Sequence, residues 1–580
     1  MGNAPVIDSI ASWARAIADL PARGPLPLRT VLVPGERHAH ALRRELVRSG
    51  RQDVLAGTRF VGAVTLAMEV LRDAGVAFDP GEDSLRPARL LGLFHEKLKL
   101  EYFDLDLIRR GGGWDEAFAQ AIGTLEAAGL TAAGLPATTP QWRDLGTLWK
   151  RLDAAAGVSW TTARILREAA KRLAAGAQVG GGPVLAAVTG HERAVHGAFV
   201  RAIAGVRIAV VRARPQRARH RERLQALYSC SAPDESLDRD AASTELQVLR
   251  AYLFAAPEVL ADPKRPRSAG RDGTVELEEH AGIEEEIEAA ADWVAREVLE
   301  RGTPLERIAV LVPVRDPLAQ LVSERISRLP WNGGTLPVHV AGGVPITATA
   351  GGARVLTVVR ALSSWLSAGA LASLIPSLRA PVDDRQHLTH RDAVEVAWWV
   401  GAVGGSAANP AGALEWTERL AAREQELATA LDAAEWDGTS ADRSAWHRKR
   451  TLTSLRAVRP AIDALVGVAR LLVDDAPLSS IGPAVAAFVR EWVLDPADGA
   501  PIKLRLAAAF EEAGQTALAA TLRGEDALAV LGDVVLSQRV SVRRFGDAAV
   551  FVGSVADAAG VDLDAVRILG LCEGTIPPAV

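Results

Sequence analysis

A loop that cradles nucleotide phosphates needs glycines for close backbone approach. It then needs Gly-Lys-Ser/Thr, the lysine to neutralise the β/γ-phosphates and the hydroxyl to hold magnesium. The chain has seven lysines, Lys97, Lys99, Lys150, Lys171, Lys264, Lys449 and Lys503, and none of them follows a glycine. A metal-dependent nuclease needs an Asp and then Asp/Glu-x-Lys on adjoining strands. No lysine stands two residues after an acid in a strand context. His191, Glu192 and His196 have the composition of a zinc site, but histidines five apart miss the i, i+4 helical face. His387 and His390 have ligand-like spacing, with Asp383 and Asp384 nearby, and no further feature supports a metal there. No metal is expected.

What remains is suited to phosphodiesters. Arg212 to Arg223 (RARPQRARHRER) is the densest basic run, with Arg212, Arg214, Arg217, Arg219 and Arg221 available either as a solvated loop or as phosphate contacts. Trp436, Trp446 and His447-Arg448-Lys449-Arg450 mix aromatic and basic residues as base-stacking grooves do, although tryptophans at such spacing also pack helices. Arg539, Arg543 and Arg544 precede the last strands and face the same choice. Of 66 basic residues all but seven are arginine, which suits bidentate phosphate contact and is equally what a GC-rich gene produces.

These residues must be positioned by some scaffold. At 580 residues the chain has room for two to four domains. Its 49% hydrophobic and 24% charged content is that of a globular protein. The formal net charge of −5 excludes a global basic field, so nucleic-acid contact must rest on local patches. Two cysteines, Cys230 and Cys572, are too few for a disulfide scaffold or a cysteine-based metal site, and Cys572 reads as a small apolar residue of a buried strand. The amphipathic start lacks a basic, apolar leader, and no 18-residue apolar run occurs. No membrane association and a cytoplasmic location are therefore expected.

Short β-branched runs bounded by Gly and Pro predict buried strands at Leu28 to Pro34, Thr58 to Val64, Pro183 to Val188 and Val206 to Val211. Beyond a Ser/Asp/Pro/Arg-rich linker, further strands are predicted at Thr274 to Glu279, Arg307 to Pro313, Leu336 to Val340, Val550 to Val555 and Val566 to Leu571. Two long stretches, 86 to 173 and 351 to 523, read as helical throughout. The rhythm is sheet, helical insertion, sheet, linker, and then the same once more. The fold class is thus α/β, with parallel sheets.

Several segments sharpen this. TVLVPGERHAHALRREL (30–46), TLEAAGL (124–130), AGIEEEIEAAADWV with ERIAVLVP (281–313), GGVPITATAGGARVLTVVRAL (342–362) and DLDAVRILGLCEGTIPP (562–578) occur in an order and spacing that resembles AddB-type subunits of bacterial helicase–nuclease complexes. The resemblance implies superfamily I helicase architecture: two RecA-like, P-loop-NTPase-like domains, each interrupted by a helical insertion. The first would comprise 1–80 and 180–230 with insertion 81–179, then a linker at 231–272. The second would comprise 273–350 and 530–580 with insertion 351–529.

Carried onto this chain, the family's motor positions are degenerate. Gly35 and Glu36 stand where the phosphate loop would be, an acid where phosphates would lie. Glu192 is the one carboxylate left after the strand that should end in an Asp-Glu pair. Ala559 before Gly560 replaces the basic residue of motif V. The resemblance implies a non-ATPase subunit for double-strand break repair and recombination, gripping double-stranded ends and single strands beside an AddA-like partner that uses ATP. A PD-(D/E)XK exonuclease requiring Mg²⁺ is expected beyond residue 580. The alternative is a RecC-like recognition scaffold with no nuclease activity.

Overall fold

A computed structural model describes residues 6–7, 9–21, 28–94, 98–110, 113–190, 192–211, 218–230, 243–252, 260–261, 272–313, 317–382, 387–432, 440–494, 500–515, 519–541, 547–558, 561 and 563–572. The first sheet has five parallel strands, β1 (Val6–Ile7), β2 (Arg29–Leu32), β3 (Thr58–Val61), β4 (Val184–Val188) and β5 (Arg207–Val211), in the order β1-β5-β4-β2-β3. Alternate residues of β4 serve two cores. Val184, Ala186 and Val188 pack beneath helices Ala63–Asp73, Thr162–Ala174 and Ala194–Ala202, while Leu185 and Ala187 pack on α1 (Ile10–Ala18) and α2 (Glu36–Arg48). Burial on both faces is why β4 reads as an unbroken apolar run.

The first helical unit leaves and re-enters through a two-residue parallel pair, Asp79–Pro80 against Ser159–Trp160. Its helices include Glu82–Phe94, α3 (Trp114–Ala127) and Pro140–Ala156, packed around Leu90, Phe94, Ile122 and Trp149. The segment proposed as a linker carries a helix, Glu245–Tyr252, and the rest of 231–272 lies mostly outside the described residues.

The second sheet contains β6 (Ile308–Val312), β7 (Val338–Val340), β8 (Val550–Ser554) and β9 (Ala565–Ile568), all parallel, in the order β7-β8-β6-β9. Helices Ile283–Leu299 and Leu318–Ile326 cover one face through Ile308, Val310, Val550 and Val552. The chain is therefore α/β with parallel sheets, as the apolar runs predict. Thr274 to Glu279 is a correction: it forms no strand and every residue of it is exposed. Glu276, Glu278 and Glu279 place carboxylates on both sides of that segment, and neither face of a parallel sheet can bury them. Cys572 is a second correction, since it is exposed and lies past the end of β9.

The second helical unit hangs from an antiparallel pair, Val344–Pro345 against Arg539–Val540. Here Gly343 (φ +76°) has no room for a side chain: a Cβ would fall 2.5 Å from the Val540 carbonyl oxygen. Its helices include α4 (His390–Trp399), α5 (Glu415–Asp432) and the 34-residue α6 (Ser440–Val473), around one large apolar core. Among the described residues no helix is long and apolar enough to cross a membrane.

Candidate nucleic-acid interface

In an open parallel sheet, ligands bind outside the carboxyl ends of the strands where the winding direction reverses. From β2 the chain moves to β3 on one side, and from β4 to β5 on the other, so the reversal lies between β2 and β4. Gly35 and Glu36 follow β2 there, and Glu192 follows β4. Gly35 is the N-cap of α2 and makes no side-chain cap, while exposed Glu36 itself supplies the negative charge that the helix dipole favours.

Glu192 is fully engaged. Its carboxylate accepts from the Thr189 amide (2.6 Å), the Thr189 hydroxyl (2.9 Å), the Gly190 amide (2.8 Å) and the Tyr228 hydroxyl (2.9 Å). Burial pushes its pKa up, but these donors outweigh that and hold it below the usual carboxylate range. Burial, then the neighbouring Glu192 charge, raises the Tyr228 phenol, and burial lowers the His196 imidazole beside it at 3.2 Å. A metal could take Glu192 only by dismantling this turn. Another strand–helix joint, β1 to α1, is also closed by its own side chains: Ser9 Oγ accepts from the Ser12 amide and Ser12 Oγ from the Ser9 amide, both at 3.1 Å. Sequence reasoning missed this joint because β1 is two residues long.

Side chains of α2 reach the second sheet. The Arg37 guanidinium lies 5.4 Å from the Phe551 ring centre and 3.8 Å from Asp557, and Arg44 donates to Glu306 at 3.1 Å. Beside these bridges is a cleft of about 560 Å³ lined by Arg43, Arg44, Arg48, Arg307 and His339 among others. Its cations are arginines; no lysine lines it. Arg37→Ala removes a partly buried pair and a cation–π contact, each worth about 1 kcal/mol. It is expected to broaden the distance distribution between spin labels on the two sheets. An unchanged distribution would mean that Arg44 and Glu306 suffice alone.

Of the basic residues singled out, Arg212, Arg214, Arg217, Arg543 and Arg544 lie outside the described residues, as do Ala559, Gly560, Trp436, Asp383 and Asp384. Arg219 and Arg221 fall within the helix Ala218–Tyr228. Arg448, Lys449 and Arg450 lie near the start of α6, and helical geometry separates them. At 100° per residue, Lys449 and Arg450 flank Trp446, whereas Arg448 continues the stripe of buried Leu452 and Leu455 past the end of the core. The Arg450 guanidinium lies 5.6 Å from the Trp446 ring centre and pairs with Asp392 in the first turn of α4. Burial opposes ionisation of Asp392, but Thr389 and Arg450 hold its carboxyl below the usual range.

At the other end of α4 are Trp398 and Trp399, which sequence reasoning passed over. They are 73% and 53% exposed, against 56% for Trp446. The Arg423 guanidinium of α5 lies 5.2 Å from the Trp399 ring centre. The signal that could have found them is the buried stripe of α4, Ala393, Val396, Ala397 and Val400, which leaves both tryptophans off the core face.

No protein-family model matches the chain, and no curated protein sequence matches it.

Proposed function

We propose that the chain is a helicase-like subunit without an ATPase of its own, which grips DNA and scaffolds a partner motor in a complex that processes double-strand breaks. In this reading the two parallel sheets are degenerate RecA-like domains and the helical units are their insertions. The observation that carries it is the state of the switch-point crevice. It lies where a nucleotide would sit, yet Glu36 brings the wrong charge and Glu192 is held by three donors of its own turn and by the Tyr228 hydroxyl. The bridges from Arg37 and Arg44 support a role in which the two sheets are held together rather than cycled by nucleotide.

Two measurements test this. The purified chain is expected to show no ATP turnover with or without single-stranded DNA and Mg²⁺; robust turnover would overturn the silent motor. DNA affinity is expected to fall steeply with salt. About three phosphate contacts imply a log–log slope near −2.7, or about 40-fold over a fourfold rise in salt. DNA binding that ignores salt would remove the basic patches from the argument.

A further inference from the structure

We propose that the outer side of the second helical unit is a stacking platform for single-stranded nucleic acid, formed by Trp398, Trp399 and Trp446 and flanked by Lys449 and Arg423. The inference rests on the DNA-binding reading above and names the strand form and the residues that read it.

Large aromatic side chains left more than half exposed favour an occupant where they gather on one surface, since burying each one removes much apolar area from water. Two of the three, Trp399 and Trp446, belong to one connected constellation here, and Trp398 precedes Trp399 on α4. Arg450 links Trp446 to Asp392, and Asp392, Glu395 and Trp399 follow at i, i+3 and i+7 on one face of α4. Seven residues of helix span about 10 Å, which is about three nucleotides at ~3.4 Å per step.

Charge favours nucleic acid over a protein partner. The carboxylates of the constellation are each already neutralised, Asp392 by Arg450, Glu395 by Arg391 and Glu426 by Arg423. Lys449 is exposed and makes no ion pair among the described residues. A protein interface would have to desolvate Lys449, a residue type depleted at such interfaces. A single strand offers what this surface lacks: planar bases to lie on the indoles and phosphates for Lys449 beside them. The guanidiniums of Arg423 and Arg450 already associate with two of the rings, so the surface is pre-organised.

The platform is also held from behind. After Val403 the chain passes Gly404 and Gly405, and the Gly405 amide donates to the Trp365 carbonyl at 2.8 Å. The buried Trp416 Nε1 donates to the neighbouring Leu366 carbonyl at 2.8 Å.

The test compares a fluorescein-labelled oligo(dT) 15-mer with a duplex of the same length, using the full chain, Trp398→Ala/Trp399→Ala and Trp446→Ala. The double variant is expected to lose about tenfold or more in oligo(dT) affinity, with duplex affinity within twofold of the parent. Trp398→Phe/Trp399→Phe is expected to restore most of it, which a misfolded surface would not allow. Three outcomes would overturn the platform. Parental oligo(dT) affinity in both alanine variants would remove it while leaving the DNA-binding reading intact. An equal loss for duplex and single strand would reassign the tryptophans to general DNA contact. Failure of the parent chain to bind either DNA would overturn the DNA-binding reading, and the platform with it.

Discussion

Glu126→Ala is expected to destabilise the first half of the chain by about 3–5 kcal/mol, the usual consequence of leaving a buried charge without its partner. Glu126 is 2% exposed and joins three elements. Arg86 of the helix Glu82–Phe94 donates to its carboxylate at 2.6 Å. The Thr161 hydroxyl, at the N-cap of Thr162–Ala174, donates at 2.9 Å. Because Thr162–Ala174 packs on the first sheet, this carboxylate ties the helical insertion to the sheet. Gly123 leaves space for the guanidinium, a Cβ there falling 3.3 Å from Arg86 Nη1. One partial rescue is built in. Burial, and then the Glu126 charge, holds the Asp153 carboxyl above its usual range, so removing Glu126 lets Asp153 ionise more readily toward Arg164, Arg167 and Arg86. Asp153→Asn combined with Glu126→Ala should therefore be worse than the sum of the two. Urea denaturation followed by the Trp149 environment reads this out. A loss below about 1 kcal/mol in Glu126→Ala would mean that Arg86 finds solvent instead.

How much of this was legible in the chain depends on what each segment buries. The strands β4, β6 and β8 are apolar and buried along nearly their whole length, so runs such as Val184 to Val188 declare themselves. β1, with only Val6 and Ile7, has too little length to show a period, and it was invisible. Thr274 to Glu279 showed the opposite failure: alternation without burial, because its acids leave no face for a core. The site divides along the same line. Trp446 and Lys449 stood out because a mixed aromatic–basic string is uncommon, yet nothing in the string separated Arg448 from its neighbours until the helix phase was known. Trp398 and Trp399 sit in EVAWWVGAV, which reads as core. Only packing, through Ala393, Val396 and Ala397, shows which side of that helix is inside. In the sequence Glu192 is only a surviving carboxylate, and its donors become visible only when the turn and the Tyr228 helix close around it.

Gly404→Ala is expected to destabilise the second helical unit by about 2–4 kcal/mol and to weaken oligo(dT) binding without touching an aromatic ring. Two separate penalties combine. Its φ of +80° is a conformation that costs an alanine about 1–2 kcal/mol. A Cβ would also fall 2.2 Å from the Leu366 carbonyl oxygen, so backbone must move. That carbonyl is not free to retreat. Trp365 and Leu366 are both left-handed, at φ 52° and 54°, and the buried Trp416 indole donates to Leu366. Strain of this kind persists only where the surroundings over-determine it, and here the loop after α4 is what does so. Gly401, at φ +69° and with open space where a Cβ would point, provides the control. Gly401→Ala should carry the conformational penalty alone, about 1 kcal/mol, and leave oligo(dT) affinity nearly unchanged. If the two variants proved equally stable, the clash with Leu366 would be relieved by the loop itself. The tryptophans would then be presented by α4 alone, without support from the strained turn behind them.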